Sequence, residues 1–162
     1  MDPTHRGPVE VRAAVITVSS TRTEATDTSG QLIRDRFAAA AHQVVYSAIV
    51  PDTIQAIRAA VIRSLEQANC VILSGGTGLT YDDCTIEAVA PLYDRTIDGF
   101  GELFRAKSLA EIGTAAMLSR ASAGLVGRSA VFCIPGSTGA ARLAVEDLIL
   151  PEIGHILTHV NR

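Results

Sequence analysis

Residues 70–80 read Cys-Val-Ile-Leu-Ser-Gly-Gly-Thr-Gly-Leu-Thr. The apolar run at 70–73 is typical of a parallel strand that is covered on both faces. The glycines that follow can adopt positive φ and approach a ligand closely, so that successive N–H groups point at one anion. The stretch therefore predicts a buried strand followed by a phosphate-binding loop. This glycine loop consists of Ser74, Gly75, Gly76, Thr77 and Gly78.

The glycine loop matches neither of two common nucleotide-binding motifs. It lacks the G-x-G-x-x-G spacing of the dinucleotide fingerprint, and no Gly-Lys-Ser/Thr sequence ends it as in a P-loop. Taken alone, such a loop is as typical of a tight turn as of an anion site. The strand before it and the helix pattern after it favour the anion site.

Strand and helix patterns alternate before the loop. Apolar runs predict strands at 11–18 and 43–50, and apolar residues at helical spacing predict helices at 30–41, capped by Ser29 or Thr28, and at 53–69. Right-handed crossovers then place the loops that follow these strands at the carboxyl edge of one parallel sheet. After the loop we predict further elements: a helix at 85–90, an irregular stretch at 91–98, helical segments at 101–120, strands at 121–125 and 129–134, and helices up to and beyond Pro151.

A second loop, Pro135-Gly136-Ser137-Thr138-Gly139, follows the last predicted strand. Its hydroxyls can cap the following helix, and the helix start can also present free N–H groups to an anion. The cap is the simpler interpretation of one such loop. Two loops at one sheet edge favour a ligand with phosphates at both ends, or two ligands.

Acidic residues follow the second and third strands. Asp52 comes after the second strand and Asp82 and Asp83 close the glycine loop, so their carboxylates are expected beside the proposed phosphates. Because carboxylates repel phosphates, a bridging cation is needed, and Mg²⁺ is held by one or two carboxylates together with phosphate oxygens. The alternative for Asp52 and for Asp83 is a helix N-cap.

Composition sets the broad class. The chain has 162 residues, 48% hydrophobic and 19% charged, with a net charge of -3. These values predict one globular domain over 11–162 after a flexible segment 1–10. The basic residues are scattered, so nucleic-acid binding is not expected. No apolar run is long enough to span a membrane and the first residues are polar, so we expect a cytoplasmic protein.

The three cysteines, Cys70, Cys84 and Cys133, show neither CxxC spacing nor an even count, so no zinc site or disulfide framework is predicted. We expect Cys70 and Cys133 to be buried in strands. Cys84 is expected to be partly exposed and structural, because no His is near it in the sequence for it to act as a nucleophile.

Basic and imidazole side chains later in the chain are weaker candidates. His155 and His159 lie four residues apart on the last helix, where they can meet a metal, but no acidic or Cys partner is evident; surface or interface positions are favoured. Three basic residues are candidates for holding an anionic ligand tail, with solvated charge as the alternative. They are Arg105, Lys107 and Arg120.

Six short motifs occur in an order and spacing that resemble those of the MoaB/Mog family of molybdenum-cofactor biosynthesis proteins, over about 11–155. The motifs are Thr17-Val18-Ser19, Asp27-Thr28-Ser29-Gly30, Ser74-Gly75-Gly76-Thr77-Gly78, Gly99-Phe100-Gly101-Glu102, Ser119-Arg120-Ala121 and Pro135-Gly136-Ser137. The family also includes the molybdopterin-adenylylating domains of larger proteins such as gephyrin.

The resemblance implies a three-layer α/β/α fold with a mostly parallel sheet, and a homo-oligomer, either a trimer or a hexamer. It also implies transfer of AMP from ATP to the terminal phosphate of molybdopterin, alongside other molybdenum-cofactor biosynthesis proteins. The catalytic and Mg²⁺-binding aspartates of the family match Asp52 and Asp83. The remaining ligand-binding positions are Ser19, Ser74, Gly75, Gly76, Thr77, Gly78, Pro135, Gly136 and Ser137.

The chain departs from the adenylylating pattern at two positions: Asp82 replaces a basic residue found in many members, and Ile86 replaces a proline. The lost positive charge favours an alternative role as a non-catalytic molybdopterin carrier or scaffold. A second alternative is a phosphate-ligand hydrolase on a similar sheet, although no motif for an activated water is present.

Overall fold

A central sheet organises the protein, and it is described by a computed structural model that covers residues 8–162. Residues 1–7 of the expected flexible segment lie outside the described part. Within residues 8–162 the sheet has six strands in the order β2-β1-β3-β6-β5-β4. In chain order the strands are β1 (Arg12–Val18), β2 (Gln43–Val50), β3 (Cys70–Ser74), β4 (Arg95–Thr96), β5 (Ser122–Val126) and β6 (Ser129–Ile134).

Helices cover both faces of the sheet, which gives the three-layer α/β/α fold that the resemblance implies. The helices are α1 (Thr28–Ala39), α2 (Ile54–Ser64), α3 (Thr85–Val89), α4 (Asp98–Ile112), α5 (Thr138–Arg142) and α6 (Leu150–Val160). A π-helical turn, Leu143–Ile149, joins α5 to α6, and 3₁₀ turns follow α3 and α4. No helix among residues 8–162 has the length and apolar character needed to cross a bilayer.

The sheet is mostly parallel, as predicted. Strands β2, β1, β3 and β6 run parallel to one another, whereas β5 is antiparallel to both β6 and β4. The hairpin between β5 and β6 matches the strands predicted at 121–125 and 129–134. The parallel strands end at one edge, so the loops after β1, β2, β3 and β6 share that edge.

Two separate apolar cores lie on the two sides of the sheet. Alternate residues of β3 point to opposite sides, because Cys70 and Ile72 belong to one core and Val71 and Leu73 to the other. Helices α1, α4, α5 and α6 cover the first core, and α2 and α3 cover the second. Burial on both faces explains why the central strands read as continuous apolar runs.

Some predicted boundaries are wrong. Helix α1 begins two residues before the predicted start at Gly30, and its cap is Asp27 rather than Ser29 or Thr28. Helix α2 ends at Ser64 instead of Asn69. A short strand, β4, replaces part of the irregular stretch predicted at 91–98, because β5 offers it an antiparallel edge.

We expect Phe132→Ala to lower the free energy of unfolding by about 3–5 kcal/mol, since it empties a closely packed site. Phe132 is 1% exposed, and its ring meets that of Phe100 edge-on with centroids 5.1 Å apart. Urea unfolding followed by circular dichroism measures the change. Ile62→Ala is the control, because Ile62 is 54% exposed and should shift stability by less than about 0.5 kcal/mol. Equal effects would contradict the assignment of Phe132 to the core.

Candidate functional site

The two loops predicted to bind phosphate are in direct contact at the carboxyl edge of the sheet. The Gly75 N–H donates to the Ile134 carbonyl oxygen at 2.9 Å. A Cβ placed on Gly136 would lie 3.3 Å from the Gly75 Cα, so the backbones pack closely there. The adjacency inferred from sheet topology is therefore correct.

The glycine loop has a backbone that requires glycine. Gly75 has φ of 109° and Gly76 has φ of 69°, both in the left-handed region. A Cβ on Gly75 would collide with the Val18 carbonyl, and one on Gly76 with the Thr85 hydroxyl. Thr85 also donates through Oγ1 to the Gly75 carbonyl at 2.7 Å, which ties the loop to the start of α3.

The hydroxyl side chains of the loop point into the protein. Ser74 and Thr77 are both buried, and Ser74 Oγ donates to Ser29 Oγ at 3.4 Å. Groups of the loop that can face a ligand are therefore mainly backbone N–H groups rather than these hydroxyls.

Asp52 is held at the end of β2 by a serine from the neighbouring loop. Ser20 Oγ donates to Asp52 Oδ2 at 2.8 Å and accepts from the Asp52 N–H at 3.1 Å. The N-cap of α2 is Thr53, whose hydroxyl accepts from the Ala56 N–H. The alternative interpretation of Asp52 as the cap is therefore wrong. The Asp52 carboxylate instead lies against Ser20 in the loop that follows β1.

Asp83 closes the turn at the end of the glycine loop. Its Oδ2 accepts from the Thr80 N–H at 3.0 Å and from Thr80 Oγ1 at 2.8 Å. It does not cap α3, whose N-cap residue is Cys84 and which has no side-chain cap bond. Within residues 8–162 the hydrogen bonds to this carboxylate fall on Oδ2, which leaves Oδ1 for a further ligand.

Cys84 shows how these carboxylates are grouped. Burial raises the pKa of its thiol, and the negative charges around it raise the pKa further. Those charges are Asp52, Glu87, Asp82 and Asp83. Negative charges from the segment after β2 and from the end of the glycine loop therefore both influence this thiol. The half-exposed thiol remains protonated at neutral pH, which is unfavourable for a nucleophile and agrees with its predicted structural role.

The four carboxylates that influence Cys84 are called the acidic group here, and their oxygen atoms suit a hard cation. Asp52 and Asp83 offer carboxylate oxygens near the carboxyl edge of the sheet, and oxygen ligands are those that Mg²⁺ prefers. In the part of the chain that the structure describes, no three His, Cys, Asp or Glu side chains form a metal-binding group. Mg²⁺ commonly has one or two carboxylate ligands and takes the others from substrate phosphates and water, so the residues present fit it.

The other two predicted binding segments mainly stabilise their own backbone. Ser137 caps α5, accepting from the Ala140 N–H at 3.1 Å, as the simpler interpretation held. Ser19 Oγ accepts from the N–H groups of Thr21 and Arg22. Pro135 and Gly136 are half-buried next to the glycine loop.

Asp27 is a structurally important residue to which the sequence analysis gave no role beyond membership of a family motif. It is 2% exposed, accepts from Thr17 Oγ1 at 2.7 Å and caps α1 through the Gly30 N–H at 3.0 Å. It thereby fixes both ends of the loop between β1 and α1. An Asp three residues before a Gly at a helix start is a local capping signal that was available in the sequence.

Arg120 clamps the glycine loop from outside. Its backbone N–H donates to the Thr77 carbonyl at 3.1 Å, and its guanidinium donates to the carbonyls of Gly78 at 2.9 Å and Asp83 at 3.1 Å. Glu87 binds the same guanidinium, and this hydrogen bond lowers the pKa of Glu87 from 4.5. The contact is therefore present at neutral pH. It is lost only when the pH falls below 4.5 and through the lowered pKa of Glu87.

The other two basic candidates are occupied elsewhere. Arg105 donates to the carbonyls of Ser119 and Ala121, and Lys107 pairs with Asp147 at 3.8 Å. Arg120, by contrast, lines a pocket of about 440 Å³ next to the acidic group. Its other lining residues are Ile54, Leu79, Thr80, Tyr81, Asp83, Cys84 and Glu87.

Known proteins share this sequence and this fold. A family model described as "Probable molybdopterin binding domain" matches residues 14–155. Molybdenum cofactor biosynthesis protein B of Bacillus cereus is 50% identical over 160 residues, covering 97% of this chain and 95% of the relative. The corresponding Escherichia coli protein is 45% identical over 147 residues, covering 90% of this chain and 86% of the relative.

Solved structures agree. A crystal structure of molybdenum cofactor biosynthesis protein B superposes with a TM-score of 0.92 at 50% identity, covering 96% of this chain and 99% of the other. The tungsten cofactor synthesizing protein MoaB from Pyrococcus furiosus gives a TM-score of 0.88 at 38% identity, covering 96% of this chain and all of the other.

A three-layer α/β/α fold whose sheet carries two glycine-containing loops and carboxylates at its carboxyl edge is typical of a domain that binds a phosphate-bearing ligand. The sequence match makes the class more specific. The chain belongs to the family of molybdopterin-binding domains that includes the MoaB and Mog proteins. The resemblance drawn from the six motifs is confirmed.

We expect Arg120→Ala to increase amide hydrogen exchange across residues 78–83 by about tenfold, because it removes charge-assisted bonds that are partly exposed to solvent. The measurement is exchange followed by mass spectrometry at neutral pH. Arg142→Ala is the matched control, since Arg142 pairs with Glu111 on α4 away from the loop. Unchanged exchange in the Arg120 variant would show that the loop is ordered without the clamp.

Proposed function

We propose that this protein acts in molybdenum-cofactor biosynthesis by transferring AMP from ATP to the terminal phosphate of molybdopterin, with release of pyrophosphate. The observation that carries the proposal is the contact between the glycine loop and the loop after β6 at the carboxyl edge of the sheet. Asp52 and Asp83 follow strands or loops that end at this edge, and both influence the Cys84 thiol there. The names of the relatives support the pathway.

The transfer requires no covalent intermediate with the protein. A phosphate oxygen of molybdopterin attacks the α-phosphorus of ATP in line with the departing pyrophosphate, so positioning and charge compensation matter most. Since this phosphate is already ionised near neutral pH, the reaction needs no strong general base. The protonated Cys84 thiol beside the loop is compatible with such a mechanism.

Each element has a separate task in the proposal. The N–H groups of Gly76, Thr77 and Gly78 hold phosphate oxygens, and the positive-φ backbone at Gly75 and Gly76 orients the loop before the substrate arrives. Pro135, Gly136 and Ser137 bind the pterin end in this proposal, while Ser19 contributes from the loop after β1, where its N–H donates to the Val50 carbonyl. Asp52 and Asp83 would hold the Mg²⁺ that arrives with ATP, which compensates phosphate charge.

The proposal makes the cation essential. The negative charges that act on Cys84 also repel the phosphates of uncomplexed ATP. Arg120 compensates only in part, because Glu87 binds its guanidinium. We therefore expect metal-free ATP to bind poorly to this site.

A second candidate is a molybdopterin carrier or scaffold without turnover, and Asp82 favours it. Asp82 is exposed and adds one more negative charge to the group around Cys84. A carrier of this kind would bind the pterin through the same loops but would not release pyrophosphate.

Assembly into a trimer or hexamer is also part of the proposal. Helix α4 and the 3₁₀ turn after it expose large apolar side chains, which suit contacts between protein chains. They are Leu103, Leu109, Ile112, Met117 and Leu118. Cooperation with other cofactor-biosynthesis proteins and a cytoplasmic location are likewise proposed.

Substituting Asp83 by Asn tests the reaction. The Asn side-chain oxygen still accepts from Thr80, so the turn should persist, but a negative Mg²⁺ ligand is lost and adenylylation should fall at least about tenfold. Asp52→Asn should act likewise, while Asp35→Asn on α1 serves as the control. Pyrophosphate release is measured with Mg²⁺, ATP and molybdopterin, each also omitted in turn. Release without molybdopterin would point to a hydrolase, and pterin binding without release would leave the carrier.

Substituting Asp82 by Arg separates a weakened enzyme from a carrier. The change exchanges a repulsive charge for an attractive one at an exposed position, worth on the order of 1 kcal/mol and less at high salt. An enzyme should then show a KM for ATP lowered several-fold. A carrier should bind ATP more tightly but still release no pyrophosphate. If the wild type turns over well and the variant is no better, the side chain of Asp82 does not act on the nucleotide.

A further inference from the structure

The end of α6 brings two imidazole rings together. His155 and His159 lie one helical turn apart, and their Nε2 atoms are 3.0 Å from each other. The ring centroids are 4.8 Å apart and the planes are inclined by 53°. Two imidazole nitrogens bound to one tetrahedral zinc at about 2.0–2.1 Å each lie about 3.3 Å apart, so the pair needs to separate by only a few tenths of an ångström to become a bidentate ligand.

An acidic residue orients this pair. His155 Nδ1 lies 3.0 Å from Glu152 Oε2, one turn earlier on the same helix. When Nδ1 carries the proton and donates it to the carboxylate, Nε2 presents its lone pair to a metal. Histidine ligands in metal proteins usually have such a carboxylate partner. The expectation from sequence that no acidic residue accompanies this pair is therefore wrong.

We propose that His155 and His159 bind a first-row transition-metal dication such as Zn²⁺, with Glu152 as the positioning residue. Imidazole nitrogen favours Zn²⁺, Ni²⁺ and Cu²⁺, whereas Mg²⁺ prefers oxygen. The two imidazoles are the ligands that the proposal assigns; within residues 8–162 no group of three His, Cys, Asp or Glu side chains is arranged to hold a metal ion.

A direct hydrogen bond between the two rings is the metal-free form of the same arrangement. With its Nδ1 proton directed to Glu152, neutral His155 accepts at Nε2, and His159 donates from Nε2. On metal binding, neutral His159 changes tautomer, moving its proton to Nδ1, and both Nε2 lone pairs then face the cation. No proton is lost overall when both rings start neutral.

The metal site is remote from the proposed reaction. Asn161, just past the end of α6, lines a depression with Arg12, Asn69 and Ser129, which mark the amino ends of β1, β3 and β6. The glycine loops lie at the opposite edge of the sheet. Helix α6 is anchored by the buried side chains of Ile153 and Leu157, so a bound cation would brace its last turns. The proposal is therefore independent of the adenylylation chemistry.

Titration of the full-length, metal-free protein with Zn²⁺ alone tests the proposal by calorimetry. One ion per chain should bind to the wild type, and millimolar Mg²⁺ should not displace it. His155→Gln and His159→Gln should abolish this binding, and Glu152→Gln should weaken it by about 10–100-fold. His42→Gln is the matched control, because His42 lies beside Phe37 on α1 and should leave the affinity unchanged.

Two results would overturn the site: a wild type that binds no Zn²⁺, or binding that survives both His155→Gln and His159→Gln. Unchanged affinity in Glu152→Gln would remove the positioning role. Far-ultraviolet circular dichroism confirms that each variant is folded. As a second measurement, Cu²⁺ bound to the wild type should show nitrogen hyperfine splitting from imidazoles, which each His variant reduces. Asp83→Asn should retain Zn²⁺ binding whatever its effect on pyrophosphate release, so the two proposals fail separately.

Discussion

The parallel pairing of β3 with β1 on one side and β6 on the other is the constraint on which the rest of the structure depends. Ser74 pairs in register with Thr17 and with Ile134, so three strands end at the same level. The glycine loop and the loops after β1 and β6 therefore leave the sheet side by side, close enough for their backbones to make direct contact. The hydrogen bond from Gly75 to Ile134 and the close approach of Gly136 are consequences of this register. A shift of one residue in either pairing would separate the two loops.

The charge balance of the carboxyl edge follows from the same geometry. Asp52 and Asp83 come from different segments, yet both act on the Cys84 thiol because their strands end together. The backbone N–H groups of the glycine loop provide the opposing partial charge, and Arg120 is shared with Glu87. An edge of this kind receives a phosphate ligand most readily when a cation accompanies it. Nucleotide use and metal use are therefore linked in the proposed reaction.

Much of this architecture is visible in local sequence patterns. The apolar runs of β1, β2 and β3, the glycine loop and the second loop were all predicted, because each depends on residues close together in the chain. The hydrogen bonds of Arg120 to Gly78 and of Ser20 to Asp52 were not, since they join residues 42 and 32 positions apart. Strand β4 was missed because two residues carry no periodic pattern and its pairing exists only once β5 is in place. Asp27 and the Glu152–His155 contact are local, and a systematic search for caps and for carboxylates one turn away would have found them.

The π-helical turn between α5 and α6 sets the phase between two ends of one continuous helical segment. Each residue in an α-helix advances the rotation by about 100°, so the length of this turn decides which side of α6 faces the sheet. Deleting a single residue from the turn would rotate everything after it by about that angle. Ile153 and Leu157 would leave the core, and the imidazole pair would change the side of the protein it faces. The number of residues in the π-helical turn therefore fixes the orientation of the imidazole pair relative to the loop that precedes α5.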